Sequence, residues 1–243
     1  MTRPDSGWPC NRPILSRAVW VFGAVIFLAG ATPASAGPSL YPRMAPIGQY
    51  RIADRAKEIA FARSAAPPSV SGHARVLVLG EHGYQTAVAG DNGFVCLVVR
   101  SWDKPFGHPE FWNPRIRSPE CFNPPGAVSM LPRYLERTRW VLAGESVTQM
   151  SARVRAQSAA GKLIHPAAGS FCFMMSKDGY TDDRAAGPWY PHMMFFEDTT
   201  PPAQWAANLP DTPLVADSSS YPGITFFLVL VPQWSNGSWI DHK

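Results

Sequence analysis

Between Arg75 and Arg100 the chain reads Val-Leu-Val-Leu-Gly, Tyr-Gln-Thr-Ala-Val-Ala-Gly and Phe-Val-Cys-Leu-Val-Val-Arg, three short runs split by Glu81-His82-Gly83 and Asp91-Asn92-Gly93. Valine and leucine in runs of four to seven residues, bounded by turn residues, favour a pleated surface over a helix. Asn-Gly tolerates the positive φ of a tight hairpin turn. The stretch is therefore expected to form a three-stranded antiparallel meander, and any fold the chain adopts must be built around it.

The remaining segments add helices and further strands. Pro46 suits the first turn of a helix, and Ile52, Ala56, Ile59 and Ala60 continue at helical spacing through Ser64, until Pro67-Pro68 ends it. Ser129 to Ala143 places Leu131, Tyr134, Leu135, Thr138, Val141 and Leu142 on one side. Ser146-Val147-Thr148-Gln149 is a capping box, which starts another helix that Gly161 closes. Phe171 to Ser176, His192 to Glu197 and Ile224 to Val231 read as strands. Strands in two groups with helices segregated between them predict an α+β fold, a mainly antiparallel sheet with helices packed mostly on one face. The 25 prolines and 19 glycines point to many turns and long loops.

One of those loops stands out. Residues 101–124 hold five aromatics and five prolines with neither helical nor strand period. Loops of this length in a compact domain are usually functional or disordered, and so many aromatics argue against disorder. Trp102, Phe106, Phe111 and Trp112, with Arg100 as an anchor for an anionic group, would line an apolar ligand pocket with a placed polar group. The same rings would alternatively cover the sheet and bury a satellite core.

The first thirty-six residues carry an address. Arg3, Arg12 and Arg17 precede fourteen uncharged residues, Ala18 to Ala31, and Ala34-Ser35-Ala36 supplies the small-x-small pattern of a cleavage site. Fourteen residues fall short of the roughly 20 that cross about 30 Å of hydrocarbon. With no Arg-Arg pair ahead of the apolar run, a Sec-type signal peptide at 1–36, cleaved after Ala36, is expected. The remainder, 37–243, reads as a single secreted or periplasmic domain with no membrane span. Three basic residues and one acidic residue fall within 1–36, so the formal net charge of +4 drops to +2 beyond it. The remaining arginines are scattered, with Arg133, Arg137 and Arg139 the densest set, so no nucleic-acid partner is expected.

Export changes the reading of the cysteines. Cys96, Cys121 and Cys172 remain beyond the signal, in an oxidising compartment that permits one internal disulfide. Cys96–Cys121 is the preferred pair, with Cys121–Cys172 and three free thiols as alternatives.

Gly-Glu-His-Gly-Tyr at 80–84, Asn-Gly-Phe-Val-Cys at 92–96, Pro-Glu-Phe-Trp-Asn-Pro at 109–114 and the run from Trp189 to Phe196 resemble segments of a set of uncharacterised exported bacterial proteins. The resemblance spans most of 44–235. It implies a common fold and export, and it brings no activity.

Recognised catalytic signatures are missing. There is no G-x-S-x-G elbow, phosphate-cradling loop, H-E-x-x-H or paired C-x-x-C. His82, His108 and His192, with nearby carboxylates such as Asp103 and Glu110, would make a divalent-metal site if strand ends and the long loop converged. Asp178, Asp182 and Asp183 offer oxygen ligands without the calcium-loop spacing, and read otherwise as a solvated loop. Met174-Met175 and Met193-Met194 read as packing, with a copper site the functional alternative. No cofactor is assigned. The sequence leads to the expectation of an exported protein that binds a small ligand or an envelope protein without catalysis. The alternative is a metal-dependent hydrolase using histidine and carboxylate ligands.

Overall fold

Eight strands hydrogen-bond into one sheet whose order departs from the order of the chain. The computed structural model describes residues 40–183 and 190–240, which fall within one compact unit, Gly37–Lys243. The expected signal peptide and Trp189 lie outside the described residues. The strands are β1 (Arg75–Gly80), β2 (Gly83–Val88), β3 (Val95–Val99), β4 (Ser118–Phe122), β5 (Phe171–Met174), β6 (His192–Asp198), β7 (Leu214–Tyr221) and β8 (Ile224–Leu230). They run β2-β1-β3-β4-β5-β6-β8-β7 across the sheet. Every pairing is antiparallel except β1 with β3. The architecture is α+β, as the segregated pattern of strands and helices predicts.

The parallel β1–β3 pairing corrects the expected meander. β1 and β2 form the hairpin, but β3 returns on the other side of β1, with Arg75 opposite Val95 and Val76 opposite Cys96. Parallel neighbours usually need a connection of a dozen or more residues, and here 81–94 supply it, with β2 inside the connection and 89–94 carrying the chain back across β1. Gly90 makes the short crossing possible, because a Cβ there would stand 2.1 Å from the Arg75 nitrogen. Asn92-Gly93 still turns the chain, with Gly93 at φ +78° and the Asn92 side chain accepting from Phe94 N–H at 3.0 Å.

Two strands escape the sequence pattern. β4 lies inside the segment expected to be loop, and Pro119 hides it, because proline within a run argues against a central strand. It is tolerated where β5, paired only with Cys121 and Phe122, has already ended. β7 is masked by serines and sits at the sheet edge, where weak β-formers are tolerated. The helix expected over 47–64 is also shorter. Ile47–Gln49 is a single 3-10 turn, and α1 (Arg55–Arg63) starts where the Asp54 carboxylate accepts from Ala56 and Lys57 N–H. The interruption lets Tyr50 bury completely against Trp102, ring centroids 5.0 Å apart.

After a one-turn α2 (Pro68–Ser71), the helices α3 (Pro124–Ser129), α4 (Leu131–Leu142) and α5 (Val147–Ala159) follow. The capping box at Ser146 and Gln149 opens α5. Residue parity divides the sheet into two faces. Leu77, Leu97, Val99, Phe122, Met174, Met194 and Phe196 meet Met130, Leu131 and Tyr134 on one face. Val76, Val98 and the half-cystines Cys96 and Cys121 meet Ala62, Ala65 and Ala66 on the other. α3 and α4 thus serve the first face and α1 the second, while Met150 of α5 packs with Val141 and Leu79 in a third cluster. The Cys96–Cys121 disulfide is present, linking directly opposed residues of β3 and β4. Cys172 remains a buried free thiol. No helix among the described residues is long and apolar enough to cross a membrane.

Candidate functional site

On the first face, beside α4, a cleft of about 370 Å³ opens over β4, β5, β6, β8 and β7. Its floor follows from the period of two along each strand. Met174, Met194, Phe226, Leu228 and Val215 project apolar groups, and Ser118, Glu120, His192 and Asp217 project polar ones. Register aligns them, with Met174 opposite His192, Met194 opposite Leu228, and Leu228 opposite Val215. Tyr134 and Tyr221 form one wall, and Asp103, Lys104 and Pro105 form another.

The 101–105 wall is held from both sides. Trp102 is fully buried and its Nε1 donates to Thr138 Oγ1 of α4 at 3.0 Å. Arg137, also on α4, donates to the carbonyls of Trp102 at 3.2 Å and Lys104 at 3.0 Å. Tyr221 donates to the intervening carbonyl of Asp103 at 3.1 Å. The backbone of Asp103 is therefore pinned while its side chain is left for the cleft. That side chain is only 8% exposed, and neither carboxyl oxygen has a hydrogen-bond partner among the described residues. Burial raises its pKa to about 7, against the opposing pull of Arg137 and Arg100.

Glu120 faces the same space from β4. Burial raises its pKa well above the usual carboxylate range, the neighbouring charge of Asp103 adds to this, and the Cys172 thiol and the nearby Ser118 hydroxyl oppose it. The Cys172 thiol donates to Glu120 Oε2 at 3.9 Å and is itself pushed well up by burial. His192 Nδ1–H donates to the carbonyl of Tyr190 at 2.9 Å, and burial lowers its pKa. Two carboxyls whose charged forms are disfavoured and an imidazole kept neutral thus line one cleft, and perturbed groups of this kind are found at functional sites.

The two cationic side chains of the cleft are already paired. Arg100 forms a buried ion pair with Glu58 of α1 at 2.7 Å, donates to Tyr50 O at 2.6 Å and also donates to Val98 O. Lys104 Nζ stands 3.9 Å from Asp182. Arg137 lines a second cavity of about 310 Å³ between α4 and α5, with Arg133, Arg139, Lys162 and Glu136. The densest arginine set of the sequence thus gathers there, with Arg137 also standing behind the 101–105 wall of the acidic cleft.

Of the five residues expected to bind ligand, Arg100 lines the cleft. Trp102, Phe111 and Trp112 are buried in a satellite core with Tyr50, Leu79, Val141 and Met150, and Phe106 packs against it. Phe106 also lies under Arg137, 4.4 Å from guanidinium to ring. Of the expected metal ligands, His192 is at the cleft and His82 is exposed in the β1–β2 turn. His108 accepts from Glu110 N–H in the long loop. No group of three or more histidines, cysteines or carboxylates among the described residues could hold a metal ion. Asp183 is instead a structural hub, accepting from Tyr41 at 2.5 Å, Asn113 at 2.9 Å and Tyr180, and pairing with Arg115. Met174 and Met194 contribute apolar surface to the cleft.

Glu120, Tyr134, Asp217 and Tyr221 were not among the sequence candidates. Only Glu120 carried a signal, a lone charge next to a half-cystine in a segment that alternates polar and apolar. Fold and cleft together define an α+β protein with one open sheet and an acid-lined apolar site on its less covered half. No protein family, curated protein or solved structure matches the chain on comparison.

Proposed function

We propose that this is an exported protein that binds a small, largely apolar molecule in the cleft without transforming it. The observation that carries the reading is Asp103, more than nine-tenths buried with both carboxyl oxygens unpartnered at the wall of an apolar cleft. A buried polar group left without a partner costs about 1–3 kcal/mol, and a ligand that donates to it recovers that loss. The cleft volume falls at the small end of the roughly 300–1,000 Å³ of small-molecule sites, and its composition, apolar with a few placed polar groups, matches theirs. The hydrolase alternative has only His192 of its three histidines at this place. Export is supported by the signal-like pattern of 1–36 and by a disulfide that persists in oxidising compartments.

Saturation-transfer NMR with a panel of small aromatic and aliphatic fragments tests the binding. Fragments should bind the wild type, and Met194→Trp, which fills the cleft, should abolish the signal. Val215→Trp gives the same test from the exposed rim of the edge strand, where a larger side chain leaves the core untouched. Fragment binding that survives both substitutions would refute the cleft as the site.

A further inference from the structure

Resting on that reading, we infer that the ligand carries a cationic nitrogen, an alkylammonium or amidinium group attached to an apolar body, and that Asp103 receives it. The charge inventory of the cleft leads there. Asp103 and Glu120 line it as buried acids, while its two lining cations, Arg100 and Lys104, pair with Glu58 and Asp182 outside the lining, and Arg137 behind the wall donates to the carbonyls of Trp102 and Lys104. An anionic ligand would meet an acid excess with no cation to spare. A neutral ligand would leave the ionised Asp103 offset only by Arg137 and Arg100, neither of which donates a hydrogen bond to it. An ammonium group supplies both the missing charge and N–H donors for two unpartnered oxygens, as charge-assisted hydrogen bonds. The wall of Tyr134 and Tyr221 and the floor of Met174, Met194, Phe226 and Leu228 take the apolar remainder. Aromatic faces beside a cation add attraction of their own.

The pairing makes affinity depend on pH in a defined direction. Asp103 must be ionised to receive the cation, and it is half protonated near pH 7. The other groups facing it do not reverse that sign. Glu120 on β4 also ionises only as pH rises, and His192 on β6 has its pKa lowered by burial, so it is neutral over the same range. Tyr134 on α4 and Tyr221 on β7 are raised by burial and stay neutral. Arg100 at the end of β3 and Arg137 on α4 remain cations. Asp217 on β7 is a further acid, and Lys104 stays beside Asp182.

Three probes of one size decide the matter: phenethylamine, 2-phenylethanol and 3-phenylpropionate, titrated calorimetrically into the full chain at pH 6 and pH 8. The amine should bind at least tenfold tighter than the alcohol at pH 8. Its affinity should fall about tenfold at pH 6, following the ionised fraction of a group with a pKa of about 7. Asp103→Asn should erase the preference for amine over alcohol and the pH dependence together. If the alcohol or the carboxylate binds as tightly as the amine, the cleft is a binding site and the cationic ligand is wrong. If none of the three binds, the cleft reading and this inference fall together.

Discussion

Asp103 gives up stability for its position, and the loss can be read from pH. In the unfolded chain its carboxyl has the ordinary pKa of 3.8, and in the folded protein about 7. Between those values the native state binds more protons than the unfolded state, so stability falls as pH rises from about 4 to 7 and levels off above. At roughly 1.4 kcal/mol per unit, the loss is on the order of 4 kcal/mol. Glu120, raised well above its usual range, acts in the same direction. Asp183 acts oppositely. Burial works against its charge, but hydrogen bonds from Tyr180, Tyr41, Asn113 and Arg115 prevail and hold its pKa below 3.8. Its contribution is present above that value and fades in stronger acid. Maximum stability is therefore expected on the acid side of neutrality, between about pH 4 and 5. Asp103→Asn keeps the volume and removes the charge, so it should raise the melting temperature at pH 7.5 and flatten the decline between pH 4 and 7. Thermal denaturation across that range checks this, and a variant that melts lower at pH 7.5 would refute it. A residue whose removal stabilises a protein while weakening its site is a familiar mark of function.

At the scale of elements, the disulfide closes the segment that presents Asp103. Cys96 and Cys121 stand opposite each other on β3 and β4, 25 residues apart in sequence, and the long loop runs between them. The chain-entropy model gives a loop of that size about 3–4 kcal/mol. The double substitution Cys96→Ala, Cys121→Ala should lower unfolding stability by about that amount and speed amide exchange across 101–117. Unchanged exchange there would mean that Trp102, Arg137 and Tyr221 hold the loop without help. The disulfide pair was legible in the sequence, as were the β1–β2 hairpin, α4, α5 with its capping box, and β5, β6 and β8. These depend on local signals: apolar runs, caps and turn residues. The errors came where tertiary contacts decide. Nothing local says that Gly90 passes flush against the backbone of β1 and sends β3 to its far side. Pro119 is admissible in β4 because β5 stops short, a fact about another strand. For the same reason the cleft stayed hidden. Its residues come singly from β4, β5, β6, β7, β8, α4 and the long loop, and only the sheet order makes Asp103, Glu120 and His192 neighbours. The aromatic loop attracted notice for its rings, yet Trp102 serves chiefly to fix the place of the aspartate that follows it.

At the scale of the whole molecule, that same disulfide ties stability to the redox state of the surroundings. In a reducing cytosol Cys96 and Cys121 stay thiols, and the protein forgoes about 3–4 kcal/mol of a total that is typically 5–15. Near neutral pH the ionisation of Asp103 and Glu120 already draws on that margin. Under the proposed export, the oxidised pair restores that margin. Residues 1–36 have the pattern of a signal for that export. Expression of the full-length chain in a bacterial host should therefore yield a periplasmic product that begins at Gly37, two hydrogens lighter than its fully reduced form, and intact-mass measurement reads both features at once. Alkylation under native conditions should leave Cys172 untouched, since it is buried against Glu120, and should modify it once after denaturation. A cytosolic product that retains residues 1–36 yet melts at the same temperature as the oxidised protein would break the link between export and stability.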